Sequence, residues 1–143
     1  MKIVICLKGK TMREIRFRAW HKDCKVMEYD PLIKNGKYFE IIGNDIWGTS
    51  DDYILMQYTG IKDANGKEIY EGDIVKETKV YDYSDDIDVN IYQIIWNENI
   101  TGFTAEGKNG SNTIHQNNMG VCEVIGNIYE NSNLLESEND NGE

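Results

Sequence analysis

Arg16, Arg18 and Trp20 stand two residues apart and carry the chemistry most easily named in this sequence. Guanidinium groups grip phosphate oxygens through paired hydrogen bonds, and an indole stacks on a base. On one strand face, with Lys22 and Lys25 nearby, the three would hold single-stranded nucleic acid. The competing expectation is internal pairing. Only Glu14 and Asp23 of the 25 acidic residues come before Lys25, so the rest of the chain supplies carboxylates for each arginine.

Other motifs fail on spacing. Gly60 with Gly66-Lys67 imitates a phosphate loop but has one residue too many between the glycines. Glu68 also stands where a Ser or Thr must hold magnesium, and a turn between strands replaces the strand-to-helix junction. Asp82, Asp85, Asp86 and Asp88 suggest calcium. Counted from Asp82, however, the position that needs glycine holds Ile87 and the one that needs glutamate holds Gln93. His21 and His115 lack partners at zinc-ligand spacing. Cys6, Cys24 and Cys122 form no CxxC pair and read as isolated, unreactive thiols in a reducing compartment. No carboxylate pair stands out as acid and base. The expectation is a protein without catalytic centre, cofactor or metal.

The elements that position these residues are strands. Ile15, Phe17 and Ala19 alternate with Arg16, Arg18 and Trp20, the period of a half-buried strand. The polar run His21 to Lys25 turns the chain, Val26 to Tyr29 returns it, and Asp30-Pro31 ends the pairing. Tyr38–Ile42 and Tyr53–Tyr58 are the next strands, with a loop between them carrying Gly43, Asn44, Gly48 and Ser50. Asn65-Gly66 predicts a type I′ hairpin turn, and Gly72-Asp73 leads into the strand at Ile74-Val75. An acidic loop from Tyr83 to Asp88, a strand from Val89 to Trp96 and a short one at Gly102–Ala105 follow, then a turn at 107–112 and a strand over Val121–Tyr129. Asn131 or Ser132 caps a helical turn carrying Leu134 and Leu135, and residues 136–143 form an acidic, disordered tail. The fold class is mainly β: a small SH3-like barrel or roll over residues 53–135, an N-terminal β-hairpin arm over 12–52 and a short C-terminal helical turn.

The chain carries a formal charge of −10, distributed unevenly. Through Lys25 eight basic residues face two acidic ones, whereas the remainder is strongly negative. An acidic body repels nucleic acid unless a basic patch is set apart in space. No run approaches the roughly 20 apolar residues of a membrane span, and residues 1–8 lack a signal-peptide core. A cytoplasmic protein is expected.

Three segments together resemble the YopX-like family of phage and prophage proteins: Met12 to Trp20, Leu55 to Val75, and Val124 to Asn131. The resemblance implies a β-rich body of SH3-barrel type in a gene of temperate phages, and brings no catalytic residues. It places residues 1–11 ahead of the family's usual start, with Met12 as a candidate initiator. The motif residues Tyr58, Gly60, Asn65, Gly66, Tyr70, Gly72 and Asp73 are expected to determine the fold, Asn65-Gly66 and Gly72-Asp73 through turn chemistry and Tyr58 and Tyr70 by closing over the barrel end. The functional expectation is a non-enzymatic accessory protein that binds a host or phage protein. Homo-oligomerisation, single-stranded nucleic-acid binding through Arg16, Arg18 and Trp20, and mimicry of DNA by the acidic surface are the alternatives.

Overall fold

The computed structural model describes residues 6–7, 10–11, 13–34, 37–42, 45–48 and 51–136. The predicted acidic tail lies outside these beyond residue 136. Two compact units make up the chain, Met1–Gly60 and Ile61–Glu143. The expected boundary at residues 52–53 falls just ahead of a long strand that the first unit keeps as far as Gly60.

In the first unit, β1 (Cys6–Leu7) pairs with β2 (Lys10–Thr11), both antiparallel. The predicted hairpin is present as β3 (Phe17–His21) and β4 (Val26–Tyr29). His21 organises its turn: Nδ1 accepts the backbone N–H groups of Asp23 and Cys24 at 3.2 and 3.1 Å. Lys25 completes the reversal with a positive φ of 57°. β5 (Leu32–Lys34), β6 (Lys37–Ile42) and β7 (Asp45–Gly48) then form an antiparallel sheet. The stretch expected as a loop therefore contains a strand, because the apolar pair Ile46-Trp47 comes into register with Ile41 and Glu40. β8 (Tyr53–Lys62) pairs with β3 on the side opposite β4.

The second unit continues through β9 (Glu68–Tyr70), β10 (Asp73–Val80), β11 (Ile87–Asn97), β12 (Gly102–Gly107) and β13 (Gly110–Thr113). A one-turn helix α1 (Gln116–Met119), β14 (Cys122–Asn127) and a 3-10 turn at Ser132–Leu135 close it. Five strands form an antiparallel sheet in the order β13-β12-β11-β10-β14. Its inner face follows from period-two alternation across the registers: Val75 opposite Tyr92 and Ile94 opposite Ala105, with Phe103 two residues before Ala105 on β12. These join Ile69, Ile114, Met119 and Cys122 in one core. Full burial of a side chain as large as Ile69 or Ile94 contributes about 1.5–3 kcal/mol. A bulge bends β14, since Ile74 faces Gly126 but Val75 faces Val124, leaving Ile125 unmatched. The mainly β expectation holds.

The hairpin at Asn65-Gly66 closes differently from its prediction. Gly66 has φ +79°, but Asn65 is not among the residues with positive φ, so the turn is not type I′. Gly66 N–H donates to Asp63 O at 3.1 Å and Asp63 N–H to Lys67 O at 2.8 Å, giving a three-residue loop with glycine in the left-handed position. The physical reason is the Asp63 carboxylate, whose Oδ1 accepts the N–H groups of Asn65 and Lys67 at 2.9 and 2.8 Å.

Candidate functional site

The strand expected to grip nucleic acid is turned inward at two of its three positions. Arg18 is 3% and Trp20 5% exposed. Ala19, on the opposite face, is buried as well, so β3 is covered on both sides. Arg18 Nη2 lies 3.8 Å from Met56 Sδ on the paired strand. Arg16 donates from Nε and Nη2 to the two carboxylate oxygens of Asp30, each at 3.1 Å, and Glu14 stands 3.8 Å away. The guanidinium fork of Arg16 is thus filled by the chain's own carboxylate.

The central motif is a network of backbone ties. Asp63, 6% exposed, accepts a third N–H, that of Val124, at Oδ2. Buried Asp73 accepts the Tyr70 N–H at 2.8 Å, and the Tyr70 hydroxyl donates to Glu68 at 3.0 Å. Gly72, at φ +82°, donates to Ile94 O and accepts from Ile128 N–H. In the closing segment, Asn127 Oδ1 accepts the N–H groups of Tyr129 and Glu130, both at 3.0 Å. Asn131 does not cap the following helical turn with its side chain; its Oδ1 accepts the Asn127 N–H instead. Every one of these polar side chains serves the fold.

Two features of the second unit were not singled out in the sequence. The first is a ribbon. β14 pairs with β10 only as far as Glu77, and β12 pairs with β11 only from Gln93, whereas β10 and β11 stay paired out to Val80 and Ile87. On the outward face of this extension, opposite in register to the core face, lie Val80 (69% exposed), Ile87 (61%) and Val89 (50%). Tyr81 and Tyr83 are exposed at the tip among Asp82, Asp85, Asp86 and Asp88, and the Tyr81 hydroxyl donates to Asp88 at 2.8 Å. The alternation Ile87, Val89, Ile91 was the available signal for a strand longer than the one expected.

The second is a pocket of about 140 Å³ on the core face at the ribbon's root, lined by Glu77, Lys79, Tyr92, Ala105, Asn112, Asn118 and Met119. Glu77 Oε2 accepts from the Tyr92 hydroxyl at 3.2 Å and faces Lys79 Nζ at 3.2 Å. The side chain of Glu77 is 15% exposed and that of Lys79 50%. The hydrogen bond and charge of Glu77 raise the Lys79 pKa. Burial, reinforced by Glu77, raises that of Tyr92. Behind the pocket, burial pushes the Cys122 thiol up to about 11, which makes it a poor nucleophile at neutral pH. Elsewhere Cys24 Sγ is exposed and sits 3.7 Å from His21 Nε2. Since His21 Nδ1 accepts two N–H groups, neutral His21 carries its proton on Nε2 and presents a donor, not a base, to that sulfur. Among the described residues no cluster of three or more His, Cys, Asp or Glu could hold a metal ion, and no helix is long and apolar enough to cross a membrane.

The description "YopX protein" belongs to the family whose model matches residues 16–136. This chain belongs to the YopX family. Among solved structures it is similar to protein EF1440 from Enterococcus faecalis, with 30% identity and a TM-score of 0.58 over 85% of this chain and 97% of that one. It is also similar in fold to protein yopX from Bacillus subtilis, with 20% identity and a TM-score of 0.57 over 84% and 97% of the two chains. No curated protein matches. The YopX match contains the Asp63 network, the ribbon and the pocket within one continuous span.

Proposed function

We propose that the chain is a non-enzymatic phage or prophage accessory protein that works in the bacterial cytoplasm by binding another protein. Its docking surface is the outward face of the β10–β11 ribbon, displayed on an SH3-like body. The observation that carries this reading is the exposure of Val80, Ile87 and Val89 side by side on that face. A two-stranded ribbon is marginally stable alone, and an apolar face on it gains from being covered. The ribbon's charge indicates what covers it. Between Thr78 and Asn90 one lysine stands against four aspartates, so the complementary partner presents apolar side chains within a basic rim. A second copy, carrying the same acidic tip, is disfavoured by repulsion. The basic surface of a DNA-binding protein is one such partner, with the aspartates standing for phosphates; its test is Asp82, Asp85, Asp86 and Asp88→Asn. Nucleic-acid binding through Arg16, Arg18 and Trp20 has less support, because Arg18 and Trp20 are buried.

The test compares the wild type with a Val80→Ser, Ile87→Ser, Val89→Ser variant as bait in lysate of a bacterial host. The proposal expects one protein at stoichiometric yield with the wild type and its loss with the variant, while circular dichroism of the two agrees. Equal recovery by both would exclude the ribbon as the surface. Recovery by neither, from a chain that is monomeric in solution, would contradict the interaction reading itself.

A further inference from the structure

We infer that the pocket between Glu77 and Tyr92 is a binding site for a single cationic group, an alkylammonium or a guanidinium. A carboxylate with 15% side-chain exposure is the buried charge of this pocket. Among the described residues the Tyr92 hydroxyl and the Lys79 ammonium both meet Oε2, which leaves Oε1 as the acceptor for a ligand. Charged groups in such a setting are stabilised only when paired, and the paired hydrogen bond is stronger than a neutral one.

The walls suit a cation with an apolar stem. Ala105 and Met119 are buried core residues that supply the apolar lining, and Tyr92 supplies an aromatic one. Tyr92 is held in place from behind: a Cβ at Gly107 would stand 2.5 Å from Ile91 O and 2.9 Å from Tyr92 Cδ1, so only glycine leaves room for the ring. Asn112 and Asn118 line the remainder. Asn118 is already engaged, accepting from His115 N–H and donating to Thr113 O, and acts as wall, not ligand. A volume of about 140 Å³ admits a guanidinium or an ammonium with its first methylenes.

The chain supplies its own placeholder. Lys79 is half exposed on the rim, and its ammonium at Oε2 neutralises the carboxylate with which an incoming cation would pair. An exposed lysine pair is weak and its side chain is free to leave. The acidic chain and the aspartates of the ribbon raise the local concentration of cations at the mouth. This inference stands on the pocket alone and does not require the outward face of the ribbon to dock anything.

The test is titration of the labelled full chain, followed by NMR of the Tyr92 ring and the Asn112 and Asn118 side-chain amides. The probes are butylammonium, an acetylated and amidated Ala-Arg-Ala tripeptide, and the same tripeptide with citrulline as the uncharged control. Saturable shifts with a cationic probe, absent with citrulline, are expected. A preference for the tripeptide identifies a partner's side chain as the source of the cation, and a preference for butylammonium identifies a free amine. Glu77→Gln should weaken binding about tenfold or more. Lys79→Met, which removes the internal competitor and leaves the pocket's carboxylate in place, should tighten it about twofold to fivefold. Absence of saturation, equal response to citrulline, or weaker binding in Lys79→Met would each overturn the assignment.

Discussion

Asp63 Oδ2 accepts the backbone N–H of Val124 at 2.9 Å, joining two residues 61 positions apart in the chain. The other oxygen of the same carboxylate holds the hairpin loop through Asn65 and Lys67. One buried side chain therefore shapes a turn and fastens it to β14, an arrangement strengthened by the parallel bond from Ala64 N–H to Cys122 O at 2.8 Å.

Replacing Asp63 with Ala would leave three N–H groups without their acceptor. The expected cost is about 3–5 kcal/mol, since bonds to a charged acceptor are worth about 1.5–3 kcal/mol each and neighbouring losses are not additive. Asp63→Asn keeps one acceptor oxygen and should lose less. Urea denaturation of the three proteins measures the order.

Gly107 and Gly66 should respond differently to alanine. Gly66 has nothing within 4 Å of the added Cβ, so Gly66→Ala costs only the left-handed backbone, about 1 kcal/mol. Gly107→Ala forces a Cβ against Ile91 O and the Tyr92 ring, which should cost about 1–3 kcal/mol and displace the ring. Thermal unfolding gives the difference, and the Tyr92 ring resonances report the displacement.

Thiol reactivity should separate Cys24 from Cys122. Iodoacetamide on the folded chain at neutral pH is expected to label exposed Cys24 and to spare Cys122. The sign of the pH effect follows from the raised Cys122 pKa. Below the unfolded thiol's value near 9, both states hold the proton and stability is unaffected. Between there and about 11 the unfolded chain releases it while the folded chain does not. The contribution of Cys122 to stability should therefore fall as pH rises through that window, and Cys122→Ala should flatten that fall. Peptide mapping and denaturation between neutral and alkaline pH check both.

On β3, substitution should affect stability more than nucleic-acid retention. Arg18→Ala removes a buried side chain, whereas Arg16→Ala breaks a partly exposed pair worth about 0.2–1 kcal/mol. Retention of single-stranded DNA on a column should be equal for the wild type and the double variant. A salt-dependent loss in the variant would revive the nucleic-acid reading.

Local patterns were legible where a strand's own residues decide its course. The β3–β4 hairpin, the turn near Gly66 and the strand after Gly72-Asp73 were readable for that reason. The alternation in β3 separated Ala19 from Arg18 and Trp20 but could not reveal that both faces are covered, because that depends on what packs above and below the sheet. Asp63 was invisible as a hub. It is one carboxylate among many, and its third partner arrives from β14 by tertiary folding. The pocket likewise depends on registers that bring Glu77 and Lys79 beside Tyr92 and, through β12 and α1, beside Ala105 and Met119. The sequence starts the second ribbon strand at Val89, two residues later than the structure, because the aspartates around Ile87 suggest a loop although Ile87 keeps the strand's period of two.

The central claim is that the ribbon's outward face meets a partner, and a photo-crosslinking amino acid at Val89 tests it most directly. The same probe at Asn133, an exposed position on the C-terminal turn, serves as the control. Irradiation in the host cell should give one discrete protein adduct from position 89 and none from 133. Adducts of equal yield from both positions, or none from 89 under conditions where the chain is folded, would contradict it.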